Sequence, residues 1–311
     1  MVNRAADVVG IGAVTWDRFL VVPRYPNPDD KVRAIQTEEC GGGQAATALV
    51  ALSRWGLQTR LVAMLGYDDY SERIIQDLDS ENVGTERLIR REDADGRRTT
   101  VLVDNRSGKR AIVSGPHWVP PMRVDEVTPD LFDGARVLHL DTTVDECALE
   151  AAVLAKEKGL LVTLDAEVMN DRTEELLRHC DYVIASREFA QRLTGEEKLG
   201  LATYGLSLRS GKPAIVTDGE HGCDYANGEK EAFHQPAYRV PVVDGTGAGD
   251  VFHAAIIYGV LSAFDIRKTV RFAAWAAANV CREVGGRKGI PSRDDVHRYL
   301  YHDKGDAKST D

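Results

Sequence analysis

Val242-Val-Asp-Gly-Thr-Gly-Ala-Gly-Asp250 follows a strand-like segment and runs straight into an apolar helical stretch, Val251 to Leu261. Gly245, Gly247 and Gly249 permit a tight, irregular backbone. Consecutive N–H groups then converge at a helix N-terminus, where the donors are unpaired and the helix dipole is positive, and such a spot binds anions. A phosphoryl group in transfer needs those donors as charge spreads over its oxygens. A carboxylate at that spot does not bind phosphate, because like charges repel. Asp250 instead suits the task of accepting or orienting the proton of an attacking hydroxyl. A plain turn with a capping Asp is the simpler alternative, but two carboxylates bracketing three glycines directly before a helix argue against it.

Around this segment, short apolar runs alternate with helical patterns. Strands are expected at Val8–Val14, Arg60–Leu65, Arg136–Leu140, Leu160–Leu164, Tyr182–Ala185 and Ala214–Thr217. Helices are expected at Gln44–Trp55, Ser71–Leu78, Asp145–Lys158, Arg172–Arg178 and Arg187–Leu193, and near the end at Gly249–Leu261, Ile266–Glu283 and Arg293–Leu300. Strands apolar on both faces, each followed by a helix, indicate an α/β fold with a parallel sheet covered by helices. Two stretches break the rhythm. Phe19–Val22 with Lys31–Glu38, and Thr99–Asp104 with Arg110–Val113, flank turn-rich clusters and read as β-hairpins. Together they suit a small separate sheet that acts as a lid. A third hairpin, Gly222–Tyr225 with Glu231–His234, turns at Asn227-Gly228. Lys31 and Arg110 lie on the two lid hairpins, where they either meet an anionic group or stay solvated. His117 and Trp118 follow the second hairpin and face either the substrate or lid packing.

Composition narrows the function classes. The net charge of −10 offers no basic footprint for nucleic acid and argues against an anionic membrane surface. The longest apolar stretch, Ala254 to Ala263, is too short to span a bilayer, and Met1 to Ala6 shows no apolar signal region. The five cysteines are scattered and odd in number, which reads as reduced thiols in a cytoplasmic protein. Other glycine-rich readings fail. Neither Gly108-Lys109 nor Gly211-Lys212 continues into a Walker A motif, and Thr15 stands where a dinucleotide fingerprint needs its third glycine.

Asp244 to Asp250 resembles the C-terminal signature of the ribokinase (PfkB) family of carbohydrate kinases. Cys40-Gly-Gly-Gly-Gln-Ala-Ala-Thr47, before a helix ending at Arg54-Trp-Gly56, resembles the N-terminal signature. The resemblance covers about Asp7 to Ser292. It implies a ribokinase-like doubly wound, mostly parallel sheet flanked by helices, with a small β-sheet lid. One kinase domain over 1–301 would carry that lid at about 18–38 and 97–115, and 302–311 would form a polar tail. Mg-ATP is the implied donor, Asp250 the base, and the N–H groups of Gly247, Ala248 and Gly249 the oxyanion donors. Asp17, at the end of the first strand, resembles the carboxylate that binds sugar hydroxyls; Gly42, Gly43, Gln44 and Thr47 fall on the same substrate wall. Thr217, Gly219, Gly222, Gly245, Thr246, Gly247 and Asn279 match nucleotide-side positions. Asp244 and Thr246 match positions that join a monovalent-cation site, such as K+, in some relatives, and a homodimer through the lid is implied. The family's N-x-x-E stretch is replaced by Ser186-Arg-Glu-Phe189, so no metal ligand is assigned there. The pattern Cys40 to Thr47 and the ending Gly285-Gly-Arg-Lys-Gly-Ile-Pro291 look most like the branch acting on 6-deoxy-6-sulfofructose, although the region from His139 to Thr143 lacks the basic residue expected for a sulfonate. A neutral ketose is comparable; 2-keto-3-deoxygluconate and nucleosides are further alternatives, as is a non-catalytic binding protein on the same fold.

Overall fold

In the computed structural model, residues 6–141 and 147–301 are described. The elements in chain order begin with β1 (Val8–Ile11), β2 (Thr15–Val22), β3 (Gln36–Gly42) and α1 (Gln44–Arg54). β4 (Thr59–Val62), β5 (Met64–Leu65), α2 (Asp69–Ser80), β6 (Val83–Gly84), β7 (Ile89–Arg90), β8 (Arg98–Asp104) and β9 (Arg110–Ser114) follow. Next come β10 (Val137–Asp141), α3 (Ala148–Glu157), β11 (Leu161–Ala166), α4 (Thr173–His179), β12 (Tyr182–Ser186), α5 (Arg187–Thr194), α6 (Leu199–Ser210) and β13 (Ala214–Thr217). The chain closes with β14 (Cys223–Ala226), β15 (Ala232–Gln235), α7 (Ala248–Leu261), α8 (Ile266–Val280) and α9 (Arg293–Tyr301).

The large sheet runs β15-β14-β13-β12-β11-β10-β1-β4-β6. Every pair from β13 to β6 is parallel, and β14 and β15 add an antiparallel hairpin at one edge. β1 is buried throughout, as a central parallel strand must be. Val8 faces a core built with α1, α7 and α8, while Val9 and Ile11 face the core of α3 to α6, so helices cover both faces. The strand order reverses around β1, with β4 on one side and β10 on the other. A crevice at the carboxyl ends of strands is expected at such a reversal.

A second sheet of four strands, β3-β2-β8-β9, stands apart, with its own small core of Phe19, Val21, Val101, Val103 and Val284. Its strands are longer toward the body than the hairpin reading supposes. β2 starts at Thr15 and pairs Asp17 with Cys40 and Thr15 with Gly42. Asp17 therefore lies on the first strand of the small sheet, not at the end of β1, because the chain leaves the large sheet after Ile11. Lys31 is not on a hairpin arm. It sits exposed in the connection before β3, which begins at Gln36. α6 was not expected at all: Gly200 and Gly205 within it weaken the helical signal. The start of the helix expected at Asp145 and the polar tail 302–311 lie outside the described residues. No described helix is long and apolar enough to cross a membrane.

Candidate active site

The glycine-rich loop is ordered by its first carboxylate. Asp244 is fully buried. Its Oδ1 accepts from the Thr246 amide (2.9 Å) and hydroxyl (2.7 Å), and its Oδ2 from the Gly285 amide (2.9 Å). Gly247 then turns the chain with φ +79°, and a Cβ there would come within 2.4 Å of the Gly286 carbonyl. That left-handed residue caps α7, whose first-turn N–H groups have no intrahelical partner. Gly249 differs: a Cβ there would meet no atom within 4 Å. The protein's own packing does not require glycine at 249, and the position is exposed beside the helix N-terminus. Gly249→Ala is expected to hold or raise the Tm, since Ala is the better helix former, while cutting kcat/KM for ATP at least about tenfold. Undiminished turnover would show that nothing occupies that space.

Asp250 follows in the first turn of α7 and is partly exposed. Enclosure by protein raises its pKa well above the usual carboxylate range, and the nearby charges of Asp165 and Glu167 add to this, against the opposing pull of Arg110. Asp165, at the end of β11, is buried, which by itself would raise its pKa. His253 Nε2 at 3.3 Å, one turn along α7 from Asp250, outweighs that cost and holds Asp165 ionised. His139 lies behind, its ring 5.6 Å from that of His253, and burial drives its pKa down to about 3, so it is neutral. Gln44, expected on the substrate wall, donates to Asp165 instead (3.4 Å).

Asp17, on β2, is buried and accepts from the Thr99 hydroxyl at 2.5 Å. Burial lifts its pKa. A Cβ at Gly42 would fall 1.9 Å from Asp17 Oδ2, so glycine there is what makes room for that carboxylate. Gly43 has φ +91° and packs against the Ala13 carbonyl. Asp141, at the end of β10, accepts from the amides of Ala13 (2.6 Å) and Ala45 (3.1 Å), which pins the β1 end to the start of α1. Thr47 is buried, and its hydroxyl accepts from Arg287 Nε (3.4 Å).

Arg110 opens β9 beside the glycine loop. Its Nη1 would be 3.2 Å from a Cβ on Gly245, whose amide reaches the Gly108 carbonyl (3.3 Å). The small sheet thus touches the anion loop through residues 108–110, whereas Lys31 is not brought there. Of the residues expected to meet the nucleotide, Thr217 ends β13, and Gly219 and Gly222 form a tight turn closed by the Asp218 amide on the Gly222 carbonyl (2.8 Å). Asn279 is placed differently. Its side chain donates to the Trp275 carbonyl (2.9 Å) and lines a cavity of about 570 Å³ with Tyr299, Pro291 and Arg298; no residue of 244–250 lines it. Ser186 caps α5 and Glu188 is exposed, so neither reproduces an N-x-x-E pair. Sequence reasoning missed Asp165, Glu167, His253 and Arg287. The available signal for the first two was acidic residues at the carboxyl end of a buried parallel strand.

The sequence matches the profile of the pfkB family carbohydrate kinases over residues 5–293. The chain belongs to that family. This kinase is therefore a phosphotransferase acting on an alcohol group. It is 26% identical over 308 residues to the bifunctional ribokinase/ribose-5-phosphate isomerase A of Fructilactobacillus sanfranciscensis, matching 96% of this chain and spanning 56% of that protein's length. It is 28% identical over 297 residues to the ATP-dependent ribose-1-phosphate kinase of Halopiger xanaduensis, covering 94% of this chain and 97% of that one. Among solved structures, the Arabidopsis thaliana ribokinase complexed with ribose and ATP superposes with a TM-score of 0.79 at 22% identity, covering 96% of the kinase and 99% of that chain. That structure bears out the doubly wound sheet with its small companion sheet.

Proposed function

We propose that the protein transfers the γ-phosphoryl group of Mg-ATP to a hydroxyl of a small sugar, a ketose being favoured, with Asp250 as general base. The observation that carries this reading is the glycine-started N-terminus of α7 with Asp250 in its first turn, enclosed within reach of the charges of Asp165, Glu167, Arg110 and Asp141. The sugar hydroxyl lies between Asp250 and the γ-phosphate. Asp250 takes its proton as in-line transfer proceeds, and the amides of Gly247, Ala248 and Gly249 stabilise the transferring oxygens. Asp165, held ionised by His253, raises the affinity of Asp250 for that proton. Asp17 orients the sugar through its hydroxyls. The small sheet acts as a lid that excludes water, and Arg110 meets the phosphates.

No group of three or more metal-ligating side chains occurs among the described residues. Mg2+ that arrives on ATP phosphates needs only one or two protein carboxylates. Glu167 would hold it, and it would neutralise charge between the β- and γ-phosphates. The resemblance alone supports K+ beside Asp244 and Thr246, and a cytoplasmic location. A homodimer through the small sheet draws added support from β9, an edge strand with Ile112 and Val113 exposed. The relatives act on ribose or ribose-1-phosphate by their names, which keeps phosphorylated acceptors in view.

The test is ADP release from Mg-ATP over a panel of pentoses, hexoses, ketoses, their phosphates and sulfonates, and 2-keto-3-deoxy acids. Turnover above the sugar-free rate with at least one member is expected. Folded protein that releases no ADP with any of them overturns the reading.

A further inference from the structure

The cavity lined by Asn279 takes no part in the chemistry described above. It has a volume of about 570 Å³ and lies between α8, the loop from Lys288 to Ser292 and α9. Trp275 and Asn279 line it from one face of α8, and Arg282 from the turn that follows. Asp295, Arg298 and Tyr299 line it from one face of α9. The rings of Trp275 and Tyr299 stack at 4.3 Å with 14° between their planes, and the Tyr299 hydroxyl is engaged with that of Tyr238 (2.8 Å). The cavity therefore has an aromatic wall whose polar tip is already satisfied.

Its charges do not cancel. Asp295 is taken by Arg298 (3.0 Å) and by the Ser292 hydroxyl (2.6 Å), and Glu283 faces Lys288 at 3.6 Å. Arg282 is exposed and pairs with no carboxylate among the described residues. Three cations against two carboxylates leave a positive excess here, in a chain whose net charge is −10. Asn279 spends one amide hydrogen on the Trp275 carbonyl (2.9 Å), and its own side-chain oxygen accepts nothing among the described residues. A surplus guanidinium suits a phosphate through two parallel N–H bonds. The rings suit the flat or apolar body attached to it, and the volume falls in the range of small-molecule sites.

The walls of the cavity are continuous with the segments that hold the glycine-rich loop. The Cys281 carbonyl, one residue before Arg282, accepts from the amides of Val243 (2.7 Å) and Asp244 (3.3 Å). Gly285, three residues before Lys288, donates to Asp244 (2.9 Å), and the Gly286 carbonyl packs on Gly247. A Cβ on Gly289 would fall 2.5 Å from the Val280 carbonyl, so the loop is pressed against the end of α8. An anion held by both Arg282 and Lys288 screens their mutual repulsion and ties the end of α8 to that loop, at the two points that fix Asp244.

We infer that this cavity is a second binding site, for a small organic phosphate, and that its occupant steadies the glycine-rich loop and lowers KM for ATP. Binding stands on the cavity alone, and the effect on KM rests on the kinase reading above. A nucleotide and a sugar phosphate share the chemistry that the cavity would recognise.

The experiment titrates adenosine monophosphate, ribose 5-phosphate and inorganic phosphate by calorimetry into wild type, Arg282→Met and Arg282→Lys. A saturating non-hydrolysable ATP analogue fills the catalytic site throughout. At least one of the two esters should bind wild type, at least about tenfold more weakly to Arg282→Met, with Arg282→Lys between, because lysine keeps the charge but not the fork. Arg282 is exposed, so its replacement leaves the fold intact, and turnover without ester should match wild type. The ester that binds should lower KM for ATP about fivefold or more in wild type and leave KM of Arg282→Met unchanged. No binding by either ester, or binding that Arg282→Met does not weaken, overturns the inference and leaves the kinase reading standing. Binding with an unchanged KM overturns the link to the glycine-rich loop. If no sugar releases ADP, the kinase reading falls and the calorimetry alone judges the site: binding that Arg282→Met weakens upholds it.

Discussion

Asp250→Asn is expected to lower kcat roughly a thousandfold while leaving the fold intact. The amide is isosteric with the carboxylate but cannot take a proton, and positioned general-base catalysis supplies about 10²–10⁴ of rate. Stability moves the other way. The folded-state pKa of Asp250 is raised by burial and by Asp165 and Glu167, so folding favours its protonated form. The stability it contributes is fully present below the unfolded carboxylate pKa and is lost as pH rises through the folded one. The ionised base therefore costs stability at neutral pH, and the Asn variant should unfold no earlier than wild type, with its advantage growing as pH rises through the folded pKa. In wild type, activity should fall off on the acid side at a pH above the ordinary carboxylate range. A variant that retains near wild-type turnover, or one that melts well below wild type at neutral pH, would sink the assignment.

Arg287→Met is expected to lower stability by about 3–5 kcal/mol, a drop in Tm on the order of 5–10 °C. Arg287 is buried to 3% exposure. One nitrogen pairs with Asp77 of α2, another donates to the Gly42 carbonyl (3.1 Å), and Nε reaches Thr47. Arg54 in turn donates to the Arg287 carbonyl (2.6 Å). The side chain thus ties the C-terminal loop to α2, to the end of β3 and to the first turns of α1. Methionine fills much of the volume but leaves Asp77 and Gly42 without their donor. The double variant with Asp77→Leu should recover part of the loss, because the orphaned carboxylate goes too. Thermal melts of the single and double variants decide it; an Arg287→Met melt within about 2 °C of wild type would remove the clamp from the account. Because Gly42 lies against Asp17, the single variant should also raise KM for the sugar.

Much of the large sheet was legible. Ala214–Thr217 and Tyr182–Ala185 read as strands because buried parallel strands are continuous apolar runs bounded by turn residues. The hairpin at Asn227-Gly228 was legible from turn chemistry alone. α6 was not, since its two glycines blur the helical pattern and its packing against β13 and β14 supplies what propensity lacks. The site was legible in part. Asp250 stands in the first turn of α7 and Asp17 on β2, while Gln44 donates to Asp165, Asn279 lines a cavity with Tyr299 and Lys31 stays in an exposed connection.

The amino-acid sequence by itself determined the α/β alternation, the glycine-started helix and the carboxylate in its first turn. Those are local properties, set by side-chain periodicity and by which residues tolerate a left-handed or crowded backbone. Only the tertiary structure decided which groups surround that carboxylate and which arginines are spent on the fold. Arg287 reaches Gly42 across 245 residues, and the Ala13 amide reaches Asp141 across 128. Such partners follow from strand order and sheet register, and apolar periodicity carries no information about either. The same reason leaves Arg97 indistinguishable from Arg98 in the sequence, although Arg98 stacks on Tyr70 and Arg97 falls on the alternate face of the chain, with Thr99.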